Sequence, residues 1–304
     1  MTLPTTPRGW AIQLSQIVKI LHETHGIDRF PIDVKSIAFE YSKSVFPDAP
    51  ITAIESNHFD KFEGALIPCP RGSGEWGIFY NSSITSPGRI NFTLGHELGH
   101  YLLHRQLSGD PIYCAKSDMW KWDSEYGKME GEANQFASYL LMPLDDFRKE
   151  TDGLTKPTVA FFDKLRLRYE VSLTAAILKW LEITKKRAMI VVSRDGFIDW
   201  SRSSTPLLKS GVYFRARQQV TQLPEASLAA GKATILGPEN GVALPSGVWS
   251  KEEEVFESVI FSEYHDMAVS LLVYPNDAPY RSHELPSEYC EQEPFDTFDQ
   301  FQRN

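Results

Sequence analysis

The pentapeptide His96-Glu97-Leu98-Gly99-His100 constrains this 304-residue chain more than any other stretch. It lies in a run from Phe92 to Leu103 whose apolar spacing predicts a helix. At 3.6 residues per turn, positions 96 and 100 fall on nearly the same face, about 6 Å apart along the axis. Two imidazoles so placed reach one divalent cation at the roughly 2.0–2.1 Å that zinc–nitrogen bonds require. Glu97 is turned about 100° from His96. It stands beside the ion rather than on it, placed to take a proton from a water activated there. Leu98 points toward the core, and Gly99 lets another chain segment approach closely. The competing reading is a surface helix carrying two solvated histidines.

A catalytic zinc site takes three protein ligands and keeps a fourth position open. Thirty residues after His100, a second helix is predicted from about Met129 to Leu141, stopped by Pro143. Glu130, Ala133, Asn134, Ala137 and Leu141 share one of its faces. A carboxylate among small and apolar residues points inward, where only a partner charge makes it tolerable. Glu130 is therefore the expected third ligand, and Asn134, one turn on, would steady a ligand from behind. Glu132 competes from a face that carries the bulkier Phe136 and Tyr139, as does an acidic loop residue such as Asp118 or Asp123. His104 continues the i, i+4 series but lies about 12 Å along the axis from His96, too far for one ion. It reads as a helix-terminal histidine favoured by the macrodipole, with a place behind a ligand or toward a substrate as the alternative. Tyr101, Tyr139 and His104 are candidate donors to a developing oxyanion. A set of two histidines and a glutamate suits zinc and also accommodates manganese.

The rest of the chain bounds the reading. Lys plus Arg is 31 against 40 Asp plus Glu, a net charge of −9. That excludes the whole-chain basic character of a dedicated nucleic-acid binder. Lys156 to Arg187 runs the other way, with eight basic and three acidic residues. That stretch reads as a basic solvated face on packing helices, with docking of a protein or direct DNA contact as the weaker readings. No apolar run approaches a membrane span, and the N-terminus lacks the apolar region of a secretory signal. Three widely spaced cysteines, Cys69, Cys114 and Cys290, fit a reducing cytoplasm. Helical periodicity is expected from Trp10 to about Ser44, interrupted at Pro31. Strands are expected over Phe62–Ile67 and Glu75–Tyr80, the second a candidate edge for an extended peptide or a plain core strand. Helices follow over Val159–Tyr169 and Leu173–Ile183. A hairpin, Ala188–Val192 with Phe197–Trp200, turns at Arg194-Asp195-Gly196. Val212–Ala216, Val255–Phe261 and Met267–Tyr274 are further expected strands.

The block Arg89-Ile90-Asn91-Phe92-Thr93-Leu94-Gly95-His96-Glu97-Leu98-Gly99-His100-Tyr101-Leu102-Leu103-His104 is followed by Glu130-x-x-Ala133-Asn134-x-Phe136-Ala137 and Leu140-Leu141-Met142-Pro143. Together they resemble the ImmA/IrrE family of metallopeptidases over roughly residues 60–150, with weaker likeness to about 200. Tyr80-Asn81 shares the likeness, and Gly95 stands where the family usually has Ala. The resemblance implies an α+β chain with a zincin-like metallopeptidase domain over 1–152. It further implies a helical, helix-turn-helix-like segment over 153–186 and a C-terminal α+β, GAF-like sensor domain over 187–285. Residues 286–304 read as an acidic tail. The implied activity is zinc-dependent endopeptidase cleavage of a protein, typically a helix-turn-helix transcriptional repressor in a stress or mobile-element response. His96, His100 and Glu130 would hold the metal, and Glu97 would be the general base. The alternative is a non-catalytic scaffold that sequesters a repressor or an antitoxin-like partner. Tyr101, His104 and Asn134 would support the ligands or meet the substrate.

Overall fold

A computed structural model describes residues 3–69, 74–107, 112–115, 125–216, 218–231, 237–262 and 267–276. Asp118, Asp123, Cys290 and the acidic tail lie outside the described residues. The chain is α+β and divides into two compact units. One is Met1–Glu150 with Leu167–Ser172, and the other is Thr151–Arg166 with Leu173–Asn304.

The first unit opens with α1 (Pro7–His25). Thr6 caps it by accepting from the Gly9 amide at 3.1 Å, Pro7 occupies the first turn, and Gly26 ends it with φ of 68°. After Pro31, Asp33 caps α2 (Val34–Val45) by accepting from the Ser36 amide. The expected helical segment is thus two helices. Three strands follow: β1 (Ile51–Asn57), β2 (Phe62–Pro68) and β3 (Trp76–Asn81). Next comes α3 (Pro87–Leu103), which begins at Pro87 rather than beyond it, because proline needs no amide partner in a first turn. Then come β4 (Ile112–Ala115), α4 (Glu125–Leu141) and α5 (Leu144–Thr151). The sheet order is β1-β3-β2-β4, with β1 parallel to β3 and the other pairs antiparallel. β3 is therefore an inner strand with both edges paired. The edge role considered for Glu75–Tyr80 does not hold, because β1, which alternates too weakly to read as a strand, occupies that side.

Helix α3 is buried continuously from Thr93 to Leu102. Its first turn is tied to β2 by Arg89, whose Nε donates to Glu63 Oε2 at 3.1 Å. Its other side meets α4 at small residues. A Cβ on Gly99 would lie 3.1 Å from Ala133 Cα and 3.2 Å from the Ala133 carbonyl oxygen, and one on Gly95 would lie 3.3 Å from Ala137 Cβ. Those neighbours are helix backbone or a methyl on it, which cannot swing away. Glycine and alanine thus set how near the two helices come.

The first unit also contains Leu167–Ser172. There the Arg168 guanidinium donates to both oxygens of Asp146 at 2.8 and 2.9 Å, and the Tyr169 hydroxyl donates to the same carboxylate at 2.8 Å. The second unit holds a six-stranded antiparallel sheet in the order β7-β6-β5-β10-β9-β8. Its strands are β5 (Ala188–Arg194), β6 (Phe197–Ser203), β7 (Thr221–Gln222), β8 (Val242–Leu244), β9 (Val255–Ser262) and β10 (Met267–Val273). The β5–β6 hairpin turns at Asp195 and Gly196, both with positive φ, as an Asp-Gly turn requires. Val212–Ala216 is not a strand: Val212, Phe214 and Ala216 instead pack from a loop onto the core built on Met189, Val191, Val259 and Leu272. Glu257, buried on the same face, accepts from Trp249 Nε1, from the Leu228 and Ala229 amides and from Ser270 Oγ. That full set of donors makes a buried carboxylate tolerable.

Two helices, α6 (Val159–Tyr169) and α7 (Leu173–Ile183), are joined by a turn at Glu170, whose φ is 50°. Helix α7 is buried from Thr174 through Leu181. Its Lys179 lies 3.5 Å from Glu182, and the buried Arg187 is paired with Glu253. The basic run is accordingly spent partly on internal pairs, and α7 presents no open face of the kind that reads a DNA groove.

The α3–α4 contact makes a clear prediction. Gly99→Val should cost about 1–3 kcal/mol through overpacking against Ala133, more than the few tenths of a kcal/mol it gains in helix propensity. Chemical unfolding should show a lower midpoint at an unchanged slope.

Candidate metal centre

The histidines at positions 96 and 100 emerge from α3 on the face that looks at α4, and Glu130 comes from the first half of α4. His96 Nε2 and His100 Nε2 lie 3.0 Å apart. Glu130 reaches both: Oε2 is 3.2 Å from His96 Nε2, and Oε1 is 3.2 Å from His100 Nε2. Ligands bonded to zinc at about 2.0–2.1 Å in a tetrahedral arrangement are themselves about 3.3–3.4 Å apart. The triangle therefore has edges close to those of a metal's ligand set. All three side chains are buried, at 7%, 0% and 4% exposure, so their charges are not shared with bulk water. Among the described residues this is the one group of three with metal-ligand character.

The second ring nitrogens show which way the lone pairs point. His96 Nδ1 lies 2.9 Å from Asn134 Oδ1, an amide oxygen that can only accept. In neutral His96 the proton is then on Nδ1, and the Nε2 lone pair faces the centre. His100 Nδ1 lies 3.0 Å from His104 Nδ1, and His104 Nε2 lies 2.9 Å from Glu132 Oε2. A carboxylate accepts, so His104 donates from Nε2 and offers its Nδ1 lone pair to the Nδ1–H of His100. Both ligand histidines thus turn Nε2 lone pairs toward a carboxylate. Three converging lone-pair donors in a buried space repel one another unless a cation or a proton lies between them. The donor set fits a divalent metal on this ground.

A proton competes for the same place. Burial works against charge on His96, but the Glu130 carboxylate, with Glu97 adding to it, outweighs burial and pushes the imidazole up to about 9. Burial dominates at His100 and pushes it down to about 4. Glu130 is buried too, yet His96 and His100 hold its carboxyl well below the usual carboxylate range.

Glu97 is fully buried at the α3–β2 contact. A Cβ on Gly64 of β2 would lie 2.5 Å from Glu97 Oε1 and 2.6 Å from Thr93 Cγ2. Gly64 is thus the floor on which the carboxylate rests, a role that a glycine inside a strand signals only weakly in sequence.

Of the other residues singled out from the sequence, Asn134 stands behind His96 as expected. Glu132 is not in the ligand triangle; its side chain is 51% exposed and pairs with His104. His104 is the C-terminal cap of α3, as its sequence position suggested, and burial, opposed by Glu132, pushes its imidazole down from the ordinary value. Tyr101 turns away from the centre: its hydroxyl donates to the Ala49 carbonyl at 2.6 Å, and its ring packs against Phe46 and Trp76. One residue beyond His100 it is turned about 100° around the helix, onto the face it shares with Glu97 one turn earlier, and its buried hydroxyl is spent on Ala49. Tyr139 is buried, with the Arg8 guanidinium over its ring.

Three predictions test this geometry. At about pH 6 metal uptake should release about one proton, the one held on His96, because His100 and Glu130 are already deprotonated. Calorimetry in buffers of different ionisation enthalpy reads that number. Affinity should rise about tenfold per pH unit until His96 loses its proton near pH 9 and then level off. Gly64→Ala should leave metal affinity within a few-fold while displacing Glu97, so any hydrolytic activity falls by at least about tenfold.

Residues 50–181 match the peptidase family described as the IrrE N-terminal-like domain. A search among curated proteins found no match.

Proposed function

From a chain whose residues 50–181 are an IrrE N-terminal-like domain of the ImmA/IrrE metallopeptidases, we propose a zinc-dependent endopeptidase that cleaves a helix-turn-helix transcriptional repressor in the cytoplasm. The observation that carries it is the buried convergence of His96, His100 and Glu130 one residue away from the buried carboxylate of Glu97. A divalent ion held there acidifies a water and polarises a carbonyl oxygen.

The protein's part follows from its own residues. Glu97 takes the proton of the attacking water and passes it to the departing amine nitrogen. Gly64 leaves the room in which the carboxylate sits, and Asn134 keeps His96 in the tautomer a metal needs. An extended substrate pairs on the β4 side of the sheet, because among the described strands β4 is the edge that adjoins β2, on which Glu97 rests. The second unit is read as a GAF-like sensor. Its antiparallel sheet, with the first and last long strands β5 and β10 side by side in the middle, supports that reading. Direct DNA contact is disfavoured by the burial of α7.

The test is incubation with the helix-turn-helix repressor encoded beside the gene, using wild type and Glu97→Gln, with metal analysis of both. Wild type should cut the repressor. Glu97→Gln should hold the same metal and cut at least about 10²-fold more slowly. Metal in both proteins with tight repressor binding and no cut under inducing conditions would instead identify a sequestering scaffold.

A further inference from the structure

His104 and Glu132 lie outside the ligand triangle, yet they are joined to it by an unbroken line of hydrogen-bonding atoms. His104 closes α3 and is 1% exposed, while Glu132 sits on α4 two residues beyond Glu130. Glu132 Oε2 is 2.9 Å from His104 Nε2, and His104 Nδ1 is 3.0 Å from His100 Nδ1. With His104 neutral, each link has one direction available. A carboxylate oxygen accepts, so His104 donates through Nε2; its remaining nitrogen then accepts, so His100 donates through Nδ1.

We propose that Glu132 and His104 are positioning residues that lock His100 in the tautomer whose Nε2 lone pair faces the metal. The proposal rests on the metal reading of the centre. It assigns Glu132, acting across the α3–α4 contact, to His100, as Asn134 is assigned to His96. The two ligand histidines are thereby oriented by different chemistry: an amide oxygen behind His96, and an imidazole set by a carboxylate behind His100. If the line is reversed or cut, His100 can place its proton on Nε2, and that proton must be expelled before the metal binds.

The chemistry gives a discriminating pair of variants. Glu132→Gln removes the charge but keeps a carbonyl oxygen that accepts from His104. Glu132→Met removes both the charge and the acceptor at similar length. The side chain is half exposed, so both variants should fold, and circular dichroism and melting of the metal-free proteins check this. Zinc affinity, measured by competition with a chromophoric chelator, should fall by about 10- to 100-fold in Glu132→Met and by no more than about threefold in Glu132→Gln. Nitrogen-15 spectra of the metal-free protein should show His100 protonated on Nδ1 in wild type and Glu132→Gln, with the Nε2-protonated form growing in Glu132→Met. A purely structural role for Glu132 would change the melting point without changing the tautomer. Equal affinity in both variants, or an unchanged His100 tautomer in Glu132→Met, would overturn the relay alone. Failure of the wild type to take up zinc would overturn the metal reading, and the relay with it.

Discussion

Everything in the first unit that resembles a catalytic centre depends on how closely α3 and α4 pack. Gly99 faces the backbone of Ala133, and Gly95 faces Ala137. With larger residues on that line, Glu130 would stand off from the two histidines, and three separate polar groups would be buried without partners. The small residues gather three costly burials around one point, where a single cation or proton satisfies them together. The same helix uses its other side to set Glu97 onto Gly64 of β2. One buried helix thus faces two neighbours, presenting its metal-binding side to a helix and its carboxylate to a sheet.

The electrostatics follow from this placement. Fully buried imidazoles would ordinarily be neutral and spectators. Here each has one nitrogen committed outward, His96 to Asn134 and His100 to His104, so the other faces Glu130. The centre therefore attracts a positive charge, and a proton on His96 supplies it when no metal does. Such a site binds metal in exchange for a proton, which links its occupancy to pH.

Much of this was legible in the sequence, and the limits have physical reasons. The i, i+4 histidines and the inward face of Glu130 follow from helical periodicity alone, because both helices are long and regular. Asn134 was legible for the same reason, one turn beyond Glu130. The partnership of His104 with Glu132 was not, since it depends on the register between two helices, which neither helix reveals by itself. Tyr101 misleads by adjacency: next to His100 in sequence, it is turned about 100° away around α3 and spends its hydroxyl on Ala49. Among the strands, β1 escaped because Ile51-Thr-Ala-Ile-Glu-Ser-Asn is apolar only at its start, and its parallel pairing with β3 leaves no hairpin signal. Val212–Ala216 has the composition of a strand but serves as a packing loop, a choice made by tertiary context.

The central claim is that His96, His100 and Glu130 together hold one divalent ion. X-ray absorption at the zinc edge of the loaded full-length protein tests it most directly. The metal's nearest neighbours should be nitrogen and oxygen only, at roughly 2.0–2.1 Å, with the more distant scattering of two imidazoles. A zinc–sulfur distance near 2.3 Å would contradict it, as would the scattering of three imidazoles, which would make His104 a ligand.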